Sequence, residues 1–236
     1  MNNLISPDCL FPSDNKLEIP ELRLDMQAEF CEIPFVCYGE QRRSYRMKGN
    51  GTLHFYTDDY RFSSLFSHPE KVLQMDPSCV VEPNYSLFTD TPIAFGLSYI
   101  YKKRWFARMM QEHGIRVFVD LNVAPKWYLA NLYGVPKGYK SFSTRGHEDR
   151  LNQLQAEYEI AQSIGGGDIL FLVYGGGENC RKFCMTRHCV YVNPVVNVRN
   201  QNKFREKLKN NIFPADDISE ELVKQVYNYK TGKLYE

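Results

Sequence analysis

Three apolar, β-branched runs, at residues 52–59, 79–84 and 115–122, each end in polar or acidic residues and give way to a helical pattern. Three more short apolar runs, at 139–143, 168–174 and 190–192, read as strands by the same criterion. Between them the spacing predicts helices. A short one runs from Ser63 or Ser64 to Met75. A long one spans 92–113, opened by the Thr91-Pro92 pair and closed by Gly114. Another short one covers 125–133 and stops at Gly134. The helix over 148–164 carries Leu151, Leu154, Tyr158 and Ala161 three or four apart. Residues 1–20, with Pro7, Pro12 and Pro20, read as an extended arm, and 21–50 as an irregular lead-in with room for two regular elements.

Five or six strands alternating with helices predict an α/β fold. Short connections make the sheet mostly parallel, as a partial (β/α) barrel or an open twisted sheet. The expected division is an N-terminal arm and lead-in over 1–50, a core over 51–198, and a polar, basic tail over 199–236 with one helix near 218–227. In such folds ligands meet the carboxyl ends of the strands. Asp58, Asp59, Asn84, Asp120 and Asn122 fall there.

Composition narrows the classes. The 236 residues are 43% hydrophobic and 24% charged, with a formal net charge of +1, so the chain as a whole advertises neither nucleic-acid nor membrane binding. No apolar run of about 18 residues exists to span a bilayer. The first residues have no basic, then apolar, leader pattern, and seven cysteines then read as thiols of a reducing compartment, which makes the cytoplasm the expected location. Aromatic content is 14%, which supplies core packing and, at a surface, stacking platforms.

Each candidate site has a functional and a structural reading. Of Asp58 and Asp59 only one can face a given pocket, and either can cap the strand end or pair with Arg61. Asn84, Tyr85 and Asp90 cluster after the second strand, where polar side chains serve a site or the turn backbone. Lys102, Lys103, Arg104 and Arg108 interleave with aromatics on the long helix. They can follow a phosphate backbone or form a solvated face, with Lys102 and Lys103 expected outside. Arg145 and His147 end the fourth predicted strand, and His147 is the histidine best suited to proton transfer. Gly175-Gly176-Gly177 lacks the spacing of a nucleotide-binding motif. Cys180, Cys184, His188 and Cys189 present four soft ligands within ten residues, enough for zinc or equally a set of small buried thiols.

The stretch 55–62 (FYTDDYRF), His68-Pro69-Glu70-Lys71, 82–92 (EPNYSLFTDTP), the long helix with Trp105, Gly114-Ile115-Arg116-Val117 and Gly134-Val135-Pro136-Lys137-Gly138 occur in one order. Over about residues 51–175 this resembles an uncharacterised family, a "domain of unknown function" of phages, plasmids and integrated bacterial elements. The resemblance implies a mobile-element setting, no established reaction, and an Asp where this chain has Asn84. Together these readings give a mobile-element protein with a polar, acidic site at the strand carboxyl ends. That site would act on a nucleoside or nucleic-acid base by glycosyl transfer or hydrolysis. The alternative is a non-catalytic protein that binds nucleic acid or a host protein, and a zinc-stabilised module is a third reading.

Overall fold

The structure, a computed structural model, describes residues 10–40, 45–194, 227–228 and 233–234. Seven strands form one sheet: β1 (Phe35–Cys37), β2 (Thr52–His54), β3 (Cys79–Val81), β4 (Arg116–Asp120), β5 (Ser141–Arg145), β6 (Leu170–Tyr174) and β7 (Val190–Val192). Their spatial order is their chain order, and every pair is parallel. Strands added always on the same edge by crossovers of one hand place all the helices on one face and curl the sheet into a half-barrel. The order never reverses, so the crevice of doubly wound sheets does not arise, and the ligand-accepting end is the mouth of the half-barrel.

Four helices cover the convex face: α1 (Glu70–Met75), α2 (Ile93–Glu112), α3 (Leu151–Gly165) and α4 (Gly177–Arg187). Alternation along the strands divides the core. Val36, Leu53, Val80, Val117, Val119, Phe142, Phe171 and Val173 pack toward the helices. Phe35, Cys79, Val81, Phe118, Leu170, Leu172, Val190 and Val192 form the concave cluster with Ala28 and Cys31. Both faces of the sheet are apolar, which is why its strands read as nearly continuous hydrophobic runs.

The differences from expectation are local. The lead-in supplies a seventh strand, β1, and Ile19 of the arm and Leu22, Ala28 and Cys31 of the lead-in are buried. Gln27 bridges Val117 in parallel and gives its side-chain oxygen to the Lys140 N–H at 2.6 Å. The short helix over 125–133 is two 3-10 turns, Pro125–Trp127 and Ala130–Leu132. Helix α4 occupies the cysteine-bearing segment, for which no helix was expected. The predicted helix near 218–227 lies outside the described residues, apart from a two-residue pairing of Tyr227–Asn228 with Lys233–Leu234.

Candidate functional site

At the carboxyl ends of β2 to β5 a buried polar network replaces the apolar core. Asp120, the last residue of β4, is fully buried at its centre. Lys103 reaches it from α2, donating to Asp120 Oδ2 at 3.0 Å and to the Asp120 carbonyl at 2.9 Å. Glu82, just past β3, accepts the Asp120 N–H at 3.1 Å and pairs with Arg104 and, at 3.9 Å, with Lys103. Arg104 spends its remaining donors on the carbonyls of Tyr133 (3.0 Å) and Asn131 (2.6 Å). Two acids and two bases are thus removed from water together, with their hydrogen bonds met inside the protein, as the cost of burying charge requires.

On the concave side, the Tyr56 hydroxyl lies 2.7 Å from Ser143 Oγ and donates to Asp120 Oδ1 at 3.3 Å. Toward solvent stand Asn84 and Asn122. In the amide orientation that satisfies both its ends, Asn84 accepts from Asn122 Nδ2 (3.2 Å) and donates to Asp120 Oδ2 (3.3 Å). An Asp at position 84 would instead set a second carboxylate against Asp120, so the amide found here supplies a donor where repulsion would otherwise arise. Burial raises the Asp120 carboxyl to about 6, against the opposing pull of Lys103.

A third buried carboxyl lies nearby on the helix side. Glu157 of α3 accepts from Thr144 Oγ1 (2.6 Å) and Gln153 Nε2 (2.8 Å), and burial raises it to about 8. Among the described residues, the Tyr128 hydroxyl and Asn131 Oδ1 are buried polar atoms without a partner. Asn131 donates through its Nδ2 to the Asp120 carbonyl at 3.0 Å, so that orphan acceptor is beside the network.

The mouth also carries an aromatic group. Tyr56 and Tyr174 stack at 5.4 Å and 14°, and His54 lies between Phe35 (4.4 Å) and Tyr174 (4.5 Å). Burial, with the Arg145 cation, lowers His54 to about 3, so its imidazole is neutral at physiological pH. Arg145 is exposed and paired in register with Tyr174.

Of the residues singled out in the sequence, the structure brings Asp120, Asn84 and Asn122 together. Asp58 and Asp59 fall beyond the end of β2. Asp58 is exposed, 3.8 Å from Arg61, and Asp59 accepts the Ser86 N–H (2.9 Å) and hydroxyl (3.1 Å). Tyr85 packs inward, stacked on Tyr99 at 4.7 Å, and Asp90 is exposed. His147 is half-buried. Burial and the flanking Arg150 and Arg145 lower its pKa, and its carbonyl accepts from the Cys180 thiol.

Two expectations need correction. The four cations of α2 do not share a surface. Lys103, expected outside, and Arg104 are buried in the network, while Arg108 pairs with Glu112 at 2.8 Å and Lys102 lies near the Phe66 and Tyr99 rings. Nor do Cys180, Cys184, His188 and Cys189 make a zinc site. The three thiols turn into the core, His188 is exposed, and no cluster of three or more potential ligands is placed to hold a metal ion among the described residues. The glycine run packs as structure: each of Gly175, Gly176 and Gly177 has positive φ, and a side chain at Gly176 would strike the Gly146–His147 backbone.

Sequence reasoning passed over Tyr56 and Glu157. Glu157 carried a signal, because it stands three residues after Leu154 and four before Ala161, on the apolar stripe of α3. Tyr56 sits two residues before Asp58, and alternation alone would have put it on the concave face with His54.

No helix among the described residues is long and apolar enough to cross a membrane. No solved structure matches the chain. It is 36% identical over 177 residues to the Gene 1 protein of Mycobacterium phage L5, covering 72% of this chain and 76% of that one. It is 34% identical over 132 residues to the Gene 1 protein of Mycobacterium phage D29, covering 54% and 48%. The sequence profile of a domain of unknown function, DUF4417, matches residues 11–160, from the buried lead-in to the middle of α3. The chain belongs to this family of phage-associated proteins, DUF4417, whose function is unknown.

Proposed function

We propose that the mouth of the half-barrel is a ligand site that acts on a nucleoside or a nucleic-acid base, with Asp120 as its acid–base group. One observation carries this reading. A carboxyl at the end of the central strand is raised to about 6 by burial while Lys103, Tyr56 and Asn84 hold it in place. A group that titrates near neutrality can both give and take a proton, and such groups concentrate at functional sites. Cleavage of an N-glycosidic bond needs a carboxylate facing the developing cationic sugar and a proton for the departing base. Asp120, which can hold a proton near neutrality, fits the second role, and Asn84 and Asn122 offer amide groups on the path from solvent. The half-buried Tyr174, stacked with Tyr56 and flanked by exposed Arg145, suits a planar, anionic or phosphorylated ligand.

The test is titration of the protein with nucleosides, nucleotides and short oligonucleotides from pH 5 to 8, with chromatography for released base. Binding or turnover with a midpoint near pH 6, lost in Asp120→Asn, is the expected result. If Asp58→Asn, Asp59→Asn and Asp120→Asn all leave biological activity intact, the reading fails.

A second reading is favoured by the rim itself. Tyr60, Phe88, Ile93, Phe95 and Leu129 project from the loops and helix start at the same end, each more than half exposed. Exposed apolar side chains of this size suit docking to a host protein. Retention of a host protein that Phe88→Ser and Leu129→Ser abolish, with no ligand turnover, would favour it. The nucleic-acid alternative through α2 keeps only Lys102 and Arg108 of its four cations.

A further inference from the structure

Helix α4 ends in a feature that the metal reading does not absorb. His188 has left-handed backbone angles (φ 55°, ψ 36°), and the next N–H, that of Cys189, donates to the Cys184 carbonyl at 2.9 Å. This is a Schellman closure. Its usual accompaniment is a contact between the residue after the left-handed position and the residue at the start of the last turn. Here both partners of that contact are cysteines. A hydrogen bond joining their two backbones keeps the Cα atoms within the span a disulfide requires, roughly 4.4–6.8 Å. Both side chains belong to the same buried cluster and interact electrostatically, and the Cys189 thiol stays within that last helical turn, 3.8 Å from the Arg187 carbonyl.

We propose that Cys184 and Cys189 are a reversible dithiol–disulfide pair, oxidised by exchange with a small-molecule disulfide, which ties the end of α4 to the start of β7. The two thiols differ in access. Cys184 is 1% exposed and Cys189 is 8% exposed, on the strand side of an exposed histidine. Cys189 is therefore the attacking thiol and Cys184 the resolving one. Cys189, as thiolate, attacks one sulfur of the small disulfide. That S–S bond breaks, a mixed disulfide forms on Cys189, and the first small thiol leaves with the proton Cys189 gave up. Cys184 then loses its proton and attacks the Cys189 sulfur, the mixed disulfide breaks, and the second small thiol leaves with that proton. Two protein thiols are oxidised and one small disulfide is reduced to two thiols.

Cys180, one turn earlier, stays outside the pair, because its thiol is turned to the His147 carbonyl at 3.6 Å. Cys180 and Cys184 are also joined by the helix's own N–H to carbonyl bond, so it is the direction of the Cys180 thiol, and not the backbone span, that keeps Cys180 out of the pair. The oxidised form would pin α4 at the end opposite the Gly175–Gly177 loop, which packs on Gly146 at the barrel mouth.

The test uses the full-length, reduced protein with oxidised glutathione under native conditions, followed by alkylation of remaining thiols, intact mass measurement and peptide mapping. The expected product is lighter by two hydrogens, with the new link between Cys184 and Cys189 and with Cys180 alkylated. Cys184→Ser should lose the link and hold glutathione on Cys189, while Cys189→Ser should lose both. A wild-type protein that keeps glutathione adducts unresolved, forms its first bond between other cysteines, or leaves Cys184 and Cys189 both reduced overturns the proposal. The mapping on the wild-type chain decides even if a variant fails to fold.

Discussion

The carboxyl end of the sheet holds two acidic positions with opposite fates. Asp58, four residues past the end of β2, has a side chain 70% exposed and a lone, long contact to Arg61. Asp120, the last residue of β4, is fully buried among Lys103, Tyr56, Asn84 and the Glu82-bound backbone. The residue type is the same and the sheet edge is the same. What differs is strand length. β2 stops at His54, so its acids stand at the start of a 3-10 turn (Asp59–Arg61), with Asp58 exposed and Asp59 half-buried. β4 runs two residues longer and carries its acid into the ladder opposite Ser143. An acid at a strand end acquires altered chemistry only when the strand delivers it below the surface, where burial raises its pKa and makes partners obligatory.

The strongest challenge to that contrast is to remove one cation from each place. Arg104→Met leaves buried Glu82 with the Asp120 N–H and, as its one cation, Lys103 at 3.9 Å, and should cost about 3–5 kcal/mol. Arg61→Met, which strips Asp58 of its exposed partner, should stay within about 0.5 kcal/mol. Denaturant midpoints at constant slope would read both. Similar losses at the two sites would mean that burial is not what separates them.

Next in size is a pH effect that only buried groups can produce. Glu157, raised from 4.5 to about 8, binds its proton more tightly folded than unfolded. Its contribution is therefore complete below about pH 4.5 and is lost as pH rises through 8, a few kcal/mol in all. Asp120, raised to about 6, acts in the same direction over a lower window. His54 acts in the opposite direction. Its folded pKa is lowered to about 3, so its contribution is present above about pH 6.5 and is lost on acidification. Thermal melts should thus fall on both the acid and the alkaline side. Glu157→Gln should flatten the alkaline limb alone, and an unchanged limb would show that Glu157 is not held protonated.

How much of this was legible follows from the same distinction. The alternation of strands and helices, and Asp120, Asn84 and Asn122 as a group, could be read from hydrophobic period and from where each apolar run stopped. Lys103 and Arg104 could not, because a cation on a helix looks solvated until its acid, here from another strand, is known. Strand β1 was hidden by brevity, since Phe35–Cys37 is three residues long and depends on its neighbour Thr52–His54 for definition. Helix α4 was hidden by its composition. Its buried face is Cys180, Phe183 and Cys184, and cysteine spacing drew attention to ligands rather than to a helical stripe. The glycine run was legible as glycine but not as packing, because its close neighbour, Gly146, comes from a different loop.

A smaller effect tests the cover of the network. The Trp127 ring lies against Gly96 of α2 while its indole N–H donates to the Phe88 carbonyl at 2.8 Å, which seats the segment between β4 and β5. Gly96→Ala pushes a methyl into that ring and should cost about 1–3 kcal/mol. If the Asp120 end relies on this seat, its titration near pH 6, followed by carboxyl NMR, should shift as well; the signals of Asp58 should not move.

The smallest effect separates exposed Asp58 from half-buried Asp59. Asp59 accepts two hydrogen bonds from Ser86 and so joins the loop after β2 to the loop after β3. Both groups are near solvent, so Asp59→Ala should lose only about 1 kcal/mol. Asp58→Ala, with one weak contact, should be neutral within measurement. A loop-joining role also predicts faster amide exchange at Ser86 in Asp59→Ala, with no change at Asn122. Were Asn122 to respond as strongly as Ser86, Asp59 would be coupled to the buried network after all. The boundary between the solvated and the buried acid would then lie between Asp58 and Asp59, not between β2 and β4.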